Sequence, residues 1–200
     1  MRPTAKPLVL MFYGEPGIGK TETARQLSAT LYGNENIIRE QMSMVGGESS
    51  VKYFKSTNHS EDSFSKTLLN RESNVILLDE FALAPTFFHS TFFQMFDEGI
   101  YEDQNYKVDL SNSIIICTSN FKSITEMENK IDIALLSRFD GFIKFSPLSI
   151  SEKKQILKNT YLRIIDAESM AREYQQYLDE IEILNRVELK LNNLPNVRAI

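Results

Sequence analysis

The stretch LVLMFY, Leu8 to Tyr13, is apolar without interruption, and GEPGIGKT follows at once as residues 14–21. A strand with one wet face alternates apolar and polar residues, whereas an unbroken apolar run suits a strand buried on both faces of a parallel sheet. The glycines then turn the chain sharply. TETARQLSATLYGN reads as a helix with Ala24, Leu27 and Leu31 on one face and Gly33-Asn34 as its stop.

The same grammar repeats downstream. NVILLDE and SIIICT are two further buried strands, the latter ending at Ser119-Asn120. Asn36 to Met44 forms a strand after the first helix, and Ile143 to Phe145 another near the end of the alternating region. A short helix is expected around Ser63 to Asn70, while residues 46–62 are polar and poorly periodic. In PTFFHSTFFQMFDEG, Phe88, Phe92 and Phe96 fall four apart, a helix whose aromatic stripe packs into the core or faces a partner. Ile100 to Leu110 alternates around Asp103-Gln104-Asn105, as a hairpin does. Strands alternating with helices specify an α/β fold with a parallel sheet. From PLSISEK onward the sequence is charged and helical, with Ser151 as the expected N-cap. The domain boundary therefore falls near Pro147, dividing 1–146 from 147–200. The charged stretch 151–190 reads as a solvated surface or a docking face.

At 200 residues the chain suits one globular unit with a small appended piece. Its formal net charge of −5 argues against a protein that coats nucleic acid. Cys117 is the only cysteine, which rules out an internal disulfide and points to a reducing compartment and a buried strand position. Arg2 and Lys6 precede an apolar stretch as in a signal peptide, but that stretch is shorter than an h-region, and no window is long enough to cross a membrane. A cytoplasmic, soluble protein is expected. His59 and His89 stand alone, and with one cysteine no zinc set of the usual spacing exists.

The glycine turn has a chemistry of its own. Gly14, Gly19, Lys20 and Thr21 satisfy Gly-x4-Gly-Lys-Ser/Thr, a pattern that aims several backbone amides at one phosphate and backs them with a helix N-terminus. Gly14, Glu15, Pro16, Gly17, Ile18, Gly19, Lys20, Thr21 and Glu22 are the expected phosphate-contacting residues. Lys20 supplies a point charge and Thr21 a hydroxyl for Mg²⁺. VILLDE delivers Asp79 and Glu80 to the carboxyl end of a strand, where ligands of open α/β sheets sit. Asp79 is expected to hold the metal through water, and Glu80 to orient and activate an attacking water. Taken alone, such carboxylates could equally lie in a solvated loop. Asn120 is placed to hold the water or to report on the γ-phosphate, or else to cap a turn.

GEPGIGKT, NVILLDE, IIICTSN and ALLSRFD, in this order, resemble the Walker A, Walker B, sensor-1 and arginine-finger segments of AAA+ ATPases. The segment LLDEFALAPTFFHSTFFQMFDEGIYEDQNYKVDLSNSIIICTSN is similar to the Clp group of protein-remodelling ATPases. The resemblance implies a P-loop NTPase fold, a three-layer α/β/α parallel sheet with a small helical C-terminal lid. It also implies ATP and Mg²⁺ as cofactors, and a homo-oligomeric ring, a hexamer, acting on a protein partner. Arg138 in LLSRFD matches the finger that reaches a neighbour's ATP, with a plain salt bridge as the alternative. Arg198 in LPNVRAI matches the lid arginine called sensor 2. The chain departs from the threading Clp proteins in one place. SSVKYFKSTNHSEDS has no Gly-aromatic-Val-Gly pore motif, and Tyr53 or Phe54 would have to substitute. A brief lid is expected, and no substrate-receiving domain is expected within these 200 residues. Three readings follow: a remodelling ATPase, a nucleotide-dependent switch or scaffold without threading, and a nucleic-acid initiator or loader. The last expects a basic stripe or a helix-turn-helix insert, and neither is present.

Overall fold

A computed structural model of the chain describes residues 6–55 and 62–166. Expectations for His59, Arg198 and the helices after residue 166 lie outside the described residues. Five strands form one sheet: β1 (Leu8–Tyr13), β2 (Ile38–Gln41), β3 (Val75–Asp79), β6 (Ile114–Ser119) and β7 (Gly141–Lys144). They lie in the order β2-β3-β6-β1-β7, every pairing parallel. The separate antiparallel hairpin β4 (Ile100–Glu102) and β5 (Lys107–Asp109) sits where the alternation predicted it. This is the expected α/β architecture.

The uninterrupted apolar runs are explained by burial on both faces. Val9, Met11 and Tyr13 of β1, with Ile76, Leu78, Ile115 and Cys117, belong to one core cluster. Phe12, Val75, Leu77 and Ile116 belong to a second, packed by α1 (Lys20–Tyr32) through Ala24 and Leu27. Leu31 does not join it and is 52% exposed. The buried line of α1 runs instead through Lys20, Ala24 and Ser28, four residues apart, so the helix turns its last turn away from the sheet. Gly33 ends α1 in the left-handed region, at φ 74°, as the sequence indicated.

The other face carries a large aromatic cluster. Phe88, Phe92 and Phe96 are each at most 2% exposed, so the aromatic stripe packs into the core. They are spread over α4 (Thr86–His89), a 3₁₀ turn and α5 (Phe93–Glu98) rather than one continuous helix. Phe64, in α3 (Phe64–Leu69), meets Phe54 at 5.0 Å and Tyr101 at 4.9 Å, the latter edge-on. His89 stacks on Phe81 at 5.1 Å, and burial lowers its pKa and keeps the ring neutral. Gly99 joins α5 to β4 at φ 66°. A Cβ there would stand 2.8 Å from Ser111 Cα, so only glycine fits the turn.

Several local expectations are corrected. The strand expected over Asn36 to Met44 stops at Gln41, because Met42 turns into the core as a 3₁₀ turn begins. Residues 46–62 are polar and poorly periodic in sequence, yet Glu48–Lys55 form α2, anchored by Phe54 at 2% exposure. Two short helices also escaped the reading: α6 (Ile124–Glu128), capped by Ser123, and α7 (Ile133–Leu136), capped by Asp132. The last helix among the described residues, α8 (Ile150–Asp166), is capped by Ser149 rather than Ser151. Ser149 Oγ accepts from Glu152 N–H, and the Glu152 carboxylate accepts from Ser149 N–H at 2.7 Å. This is a reciprocal box that Ser151, with Lys154 three residues on, cannot form.

By compactness the chain falls into two units, Met1–Glu15 with Gly19–Phe145, and Pro16–Ile18 with Ser146–Ile200. The sheet and both core clusters belong to the first. No helix among the described residues is long and apolar enough to cross a membrane. Because Phe92 is fully buried against Phe54, Phe64, Phe81 and Phe96, Phe92→Ala is expected to cost about 3–5 kcal/mol, read as a lowered urea midpoint with an unchanged slope.

Candidate functional site

Strands β1, β3 and β6 end together, and the candidate residues follow from those ends. After β1 the chain passes Gly14 at φ 139°, Gly17 at φ 76° and Gly19 at φ 99° before α1 begins at Lys20. Gly19 is the N-cap of α1. A Cβ there would meet nothing, so the left-handed backbone is what demands glycine. Lys20 is 7% exposed. Its ammonium donates to the Gly14 carbonyl at 2.7 Å, the Glu15 carbonyl at 2.8 Å and Asn120 Oδ1 at 3.2 Å. One charge thus ties the glycine turn to the end of β6.

Asp79, the last residue of β3, is 5% exposed. Its Oδ2 accepts from Thr21 Oγ1 at 3.3 Å, which brings the first residues of α1 to the end of β3. The parallel register sets Leu78 beside Cys117, and Thr118 Oγ1 donates to Asp79 Oδ1 at 2.5 Å. The same hydroxyl accepts from the Glu80 N–H at 2.8 Å. Glu80 is the only non-glycine described residue with positive φ, at 55°, a conformation that costs an ordinary side chain on the order of 1–2 kcal/mol. Its carboxylate accepts from Gln41 Nε2 at 2.6 Å.

The structure therefore brings Gly14, Glu15, Lys20, Thr21, Asp79, Glu80 and Asn120 to one end of the sheet. Pro16, Gly17 and Ile18 complete the turn between Glu15 and Gly19. Glu22 is exposed in the first turn of α1, and its carboxylate accepts from Gln26 at 3.0 Å. Arg138 is not gathered in. It ion-pairs with Asp97 at 2.8 Å, donates to the Ala134 carbonyl, and lies 4.1 Å over the Phe93 ring. The salt-bridge alternative is what this chain displays by itself. Tyr53 and Phe54 are occupied elsewhere: Phe54 is core, and the Tyr53 hydroxyl donates to Glu40 at 2.7 Å, its pKa raised chiefly by burial. Neither is presented as a gripping aromatic.

Three residues of the site went unnoticed in the sequence. Thr118 sits in the run SIIICTSN, where its hydroxyl was masked by its apolar neighbours. Arg39 and Gln41 lie on the edge strand β2, and Arg39 donates to Asp79 Oδ2 from Nη2 at 2.6 Å and from Nε at 3.0 Å. Two polar side chains two apart on a short strand were the available signal, since both then point to one face.

Among the described residues no three His, Cys, Asp or Glu side chains form a metal cluster. A phosphate-bound Mg²⁺ needs no such cluster, because it keeps waters and takes one or two protein oxygens. Thr21 Oγ1 and Asp79 Oδ2, both hard donors, suit it.

An open α/β sheet with a glycine turn feeding a helix and a buried carboxylate two strands away is the frame of a P-loop nucleoside-triphosphatase. Residues 6–188 match the family described as AAA domain (Cdc48 subfamily), and the chain belongs to that family. It is 30% identical over 167 residues to the chaperone protein ClpB of Malacoplasma penetrans, covering 73% of this chain and 23% of that protein. It is 36% identical over 125 residues to the AAA+ ATPase ClpV1 of Pseudomonas aeruginosa, covering 58% and 14%. The chain thus spans under a quarter of the length of these relatives. Among solved structures, a closed-state reconstruction of Hsp104 with ATPγS and FITC casein superposes with a TM-score of 0.72 at 22% identity, over 82% of this chain and 33% of that one. The S. cerevisiae Hsp104–ADP complex superposes at 0.70 and 20% identity, over 98% and 43%. At these identities the superpositions establish the fold.

Thr118→Val preserves shape but leaves the buried Asp79 Oδ1 and the Glu80 N–H without their partner. A loss of about 1–3 kcal/mol is expected in chemical denaturation, whereas Thr118→Ser should stay close to the native protein.

Proposed function

We propose that this chain is a Mg²⁺-dependent ATP hydrolase of the Clp-like AAA+ type, working between subunits of a ring and coupling turnover to the remodelling of a protein partner. The observation that carries the reading is the 3.3 Å approach of the Thr21 hydroxyl to the Asp79 carboxylate, with Lys20 anchored between the glycine turn and Asn120. The backbone amides of the turn and the N-terminus of α1 bind the phosphates. Lys20 gives its charge to the outer phosphates, exchanging some of its carbonyl partners for them. Thr21 Oγ1 would offer a lone pair to Mg²⁺ while its O–H still donates to Asp79, which would hold the metal through water. Bound Mg²⁺ neutralises charge on the outer phosphates.

Glu80 would orient the attacking water and accept its proton, and the Gln41 amide that donates to its carboxylate holds that carboxylate in place. Asn120 positions the same water from the end of the neighbouring strand β6. Arg138 acts in trans once an assembled neighbour draws it from Asp97. Arg198 completes the site from a helical lid, the C-terminal part of the chain after residue 146. The partner is a protein, as for the ClpB relatives, and the compartment cytoplasmic.

A second reading keeps ATP turnover but removes threading: a nucleotide-dependent switch that assembles without pulling substrate. The burial of Phe54 and the engaged hydroxyl of Tyr53 favour it. Unfolding of a tagged, labile substrate by the assembled protein decides between the two.

Lys20→Ala removes a buried charge contact and is expected to weaken binding of a fluorescent ATP analogue by 30-fold or more, from about 2–5 kcal/mol. Glu80→Gln should bind the analogue normally yet turn ATP over at under about a hundredth of the native rate. Native turnover by Glu80→Gln would refute its catalytic assignment. Mixing Arg138→Ala with Lys20→Ala subunits should restore part of the hydrolysis each lacks. No rescue in mixtures that demonstrably co-assemble removes the trans role of Arg138.

A further inference from the structure

Arg39 belongs to no part of the mechanism above, yet it makes the shortest contact to Asp79 Oδ2. The guanidinium places Nη2 at 2.6 Å and Nε at 3.0 Å from that one oxygen, and Thr21 Oγ1 reaches the same oxygen at 3.3 Å. Oδ1 is already committed to Thr118. The Asp79 side chain is 8% exposed and that of Arg39 38%, so the carboxylate sits in the interior while the cation lies at its solvent edge. Oδ2 is thus the oxygen that accepts from Thr21, and it is paired with the full positive charge of Arg39 on β2.

A carboxylate oxygen offers limited lone-pair capacity, and a guanidinium on one side reduces what remains for a metal-bound water on the other. Two cations that lean on one anion also repel each other, more strongly in a partly buried site than in water. We propose that Arg39 is an internal counter-cation of Asp79 that competes with Mg²⁺ for this oxygen and so sets the metal concentration the site requires. Its second effect is to keep Asp79 paired whenever metal is not bound. Such pairing matters because an uncompensated buried carboxylate is strongly destabilising. Arg39 is therefore a positioning and tuning residue that acts through Asp79. The inference rests on the nucleotide-site reading above.

The test uses the full chain saturated with ADP, with Mn²⁺ as the probe metal and electron paramagnetic resonance of free Mn²⁺ as the readout. Arg39→Gln keeps an amide donor for Oδ2 and removes the charge. It should reach half-saturation at roughly tenfold lower Mn²⁺ than the native protein. Arg39→Lys keeps the charge and should stay within about twofold of native. Equal or weaker Mn²⁺ binding by Arg39→Gln overturns the proposal, because a purely supportive arginine would lose metal affinity when truncated. A measurement on the native protein guards against a variant that does not fold. The Arg39 Nε–H resonance, identified by its loss in Arg39→Lys, should shift and exchange faster as Mg²⁺ is added to the ADP-saturated protein. A resonance that stays fixed through a saturating titration also overturns it. Absence of both ADP and Mn²⁺ binding in the native protein would instead defeat the nucleotide site itself. Native binding with an unmoved Arg39→Gln defeats only the arginine.

Discussion

One buried carboxylate organises the end of the sheet. Asp79 lies almost out of solvent, and that position is tolerable only because every direction around it supplies a donor: Arg39 from β2, Thr118 from β6 and Thr21 from α1. Those three elements are far apart in sequence and meet at this atom pair. The parallel register of β3 against β6 and β2 makes the meeting possible, since it aligns the carboxyl ends of the strands. Electrostatics and topology here are the same constraint.

The aromatic layer beneath that end holds it still. Phe81 follows directly on the Asp79-Glu80 pair and packs against Phe92, Phe96, Phe139 and the ring of His89. Glu80 occupies a left-handed conformation that an unconstrained chain would relax, and the burial of Phe81 on one side with the Thr118 hydroxyl on the other keeps it there. Strain at the residue with the proposed chemistry is offset by packing at its neighbour. Phe54 belongs to the same layer, so the chain commits to the core one of the two aromatics that could have substituted for the missing pore motif.

Legibility in the sequence followed the strength of the physical signal. Runs such as LVLMFY, VILLD and SIIICT could only be strands buried on both faces, and the sheet was readable from them. The glycine turn was readable because its backbone angles exclude other residues. Short elements failed for the opposite reason. The helix Glu48–Lys55 is anchored mainly by Phe54, and one buried aromatic makes no periodicity. Ser123 caps α6 by accepting from the Glu126 N–H, but a cap alone does not announce a helix of five residues. Arg39, Gln41 and Thr118 were hidden because their importance lies in which strands pair, and pairing order is not written locally.

Thr118 gives its hydroxyl proton to the Asp79 carboxylate and receives the amide of Glu80, so one oxygen atom grips two successive residues with different proposed duties. With donor and acceptor roles both filled, the hydroxyl cannot rotate freely, and β6 becomes a rigid lever on that pair. Any force that slides this strand along its axis shifts the Asp79 carboxylate and the Glu80 backbone in step.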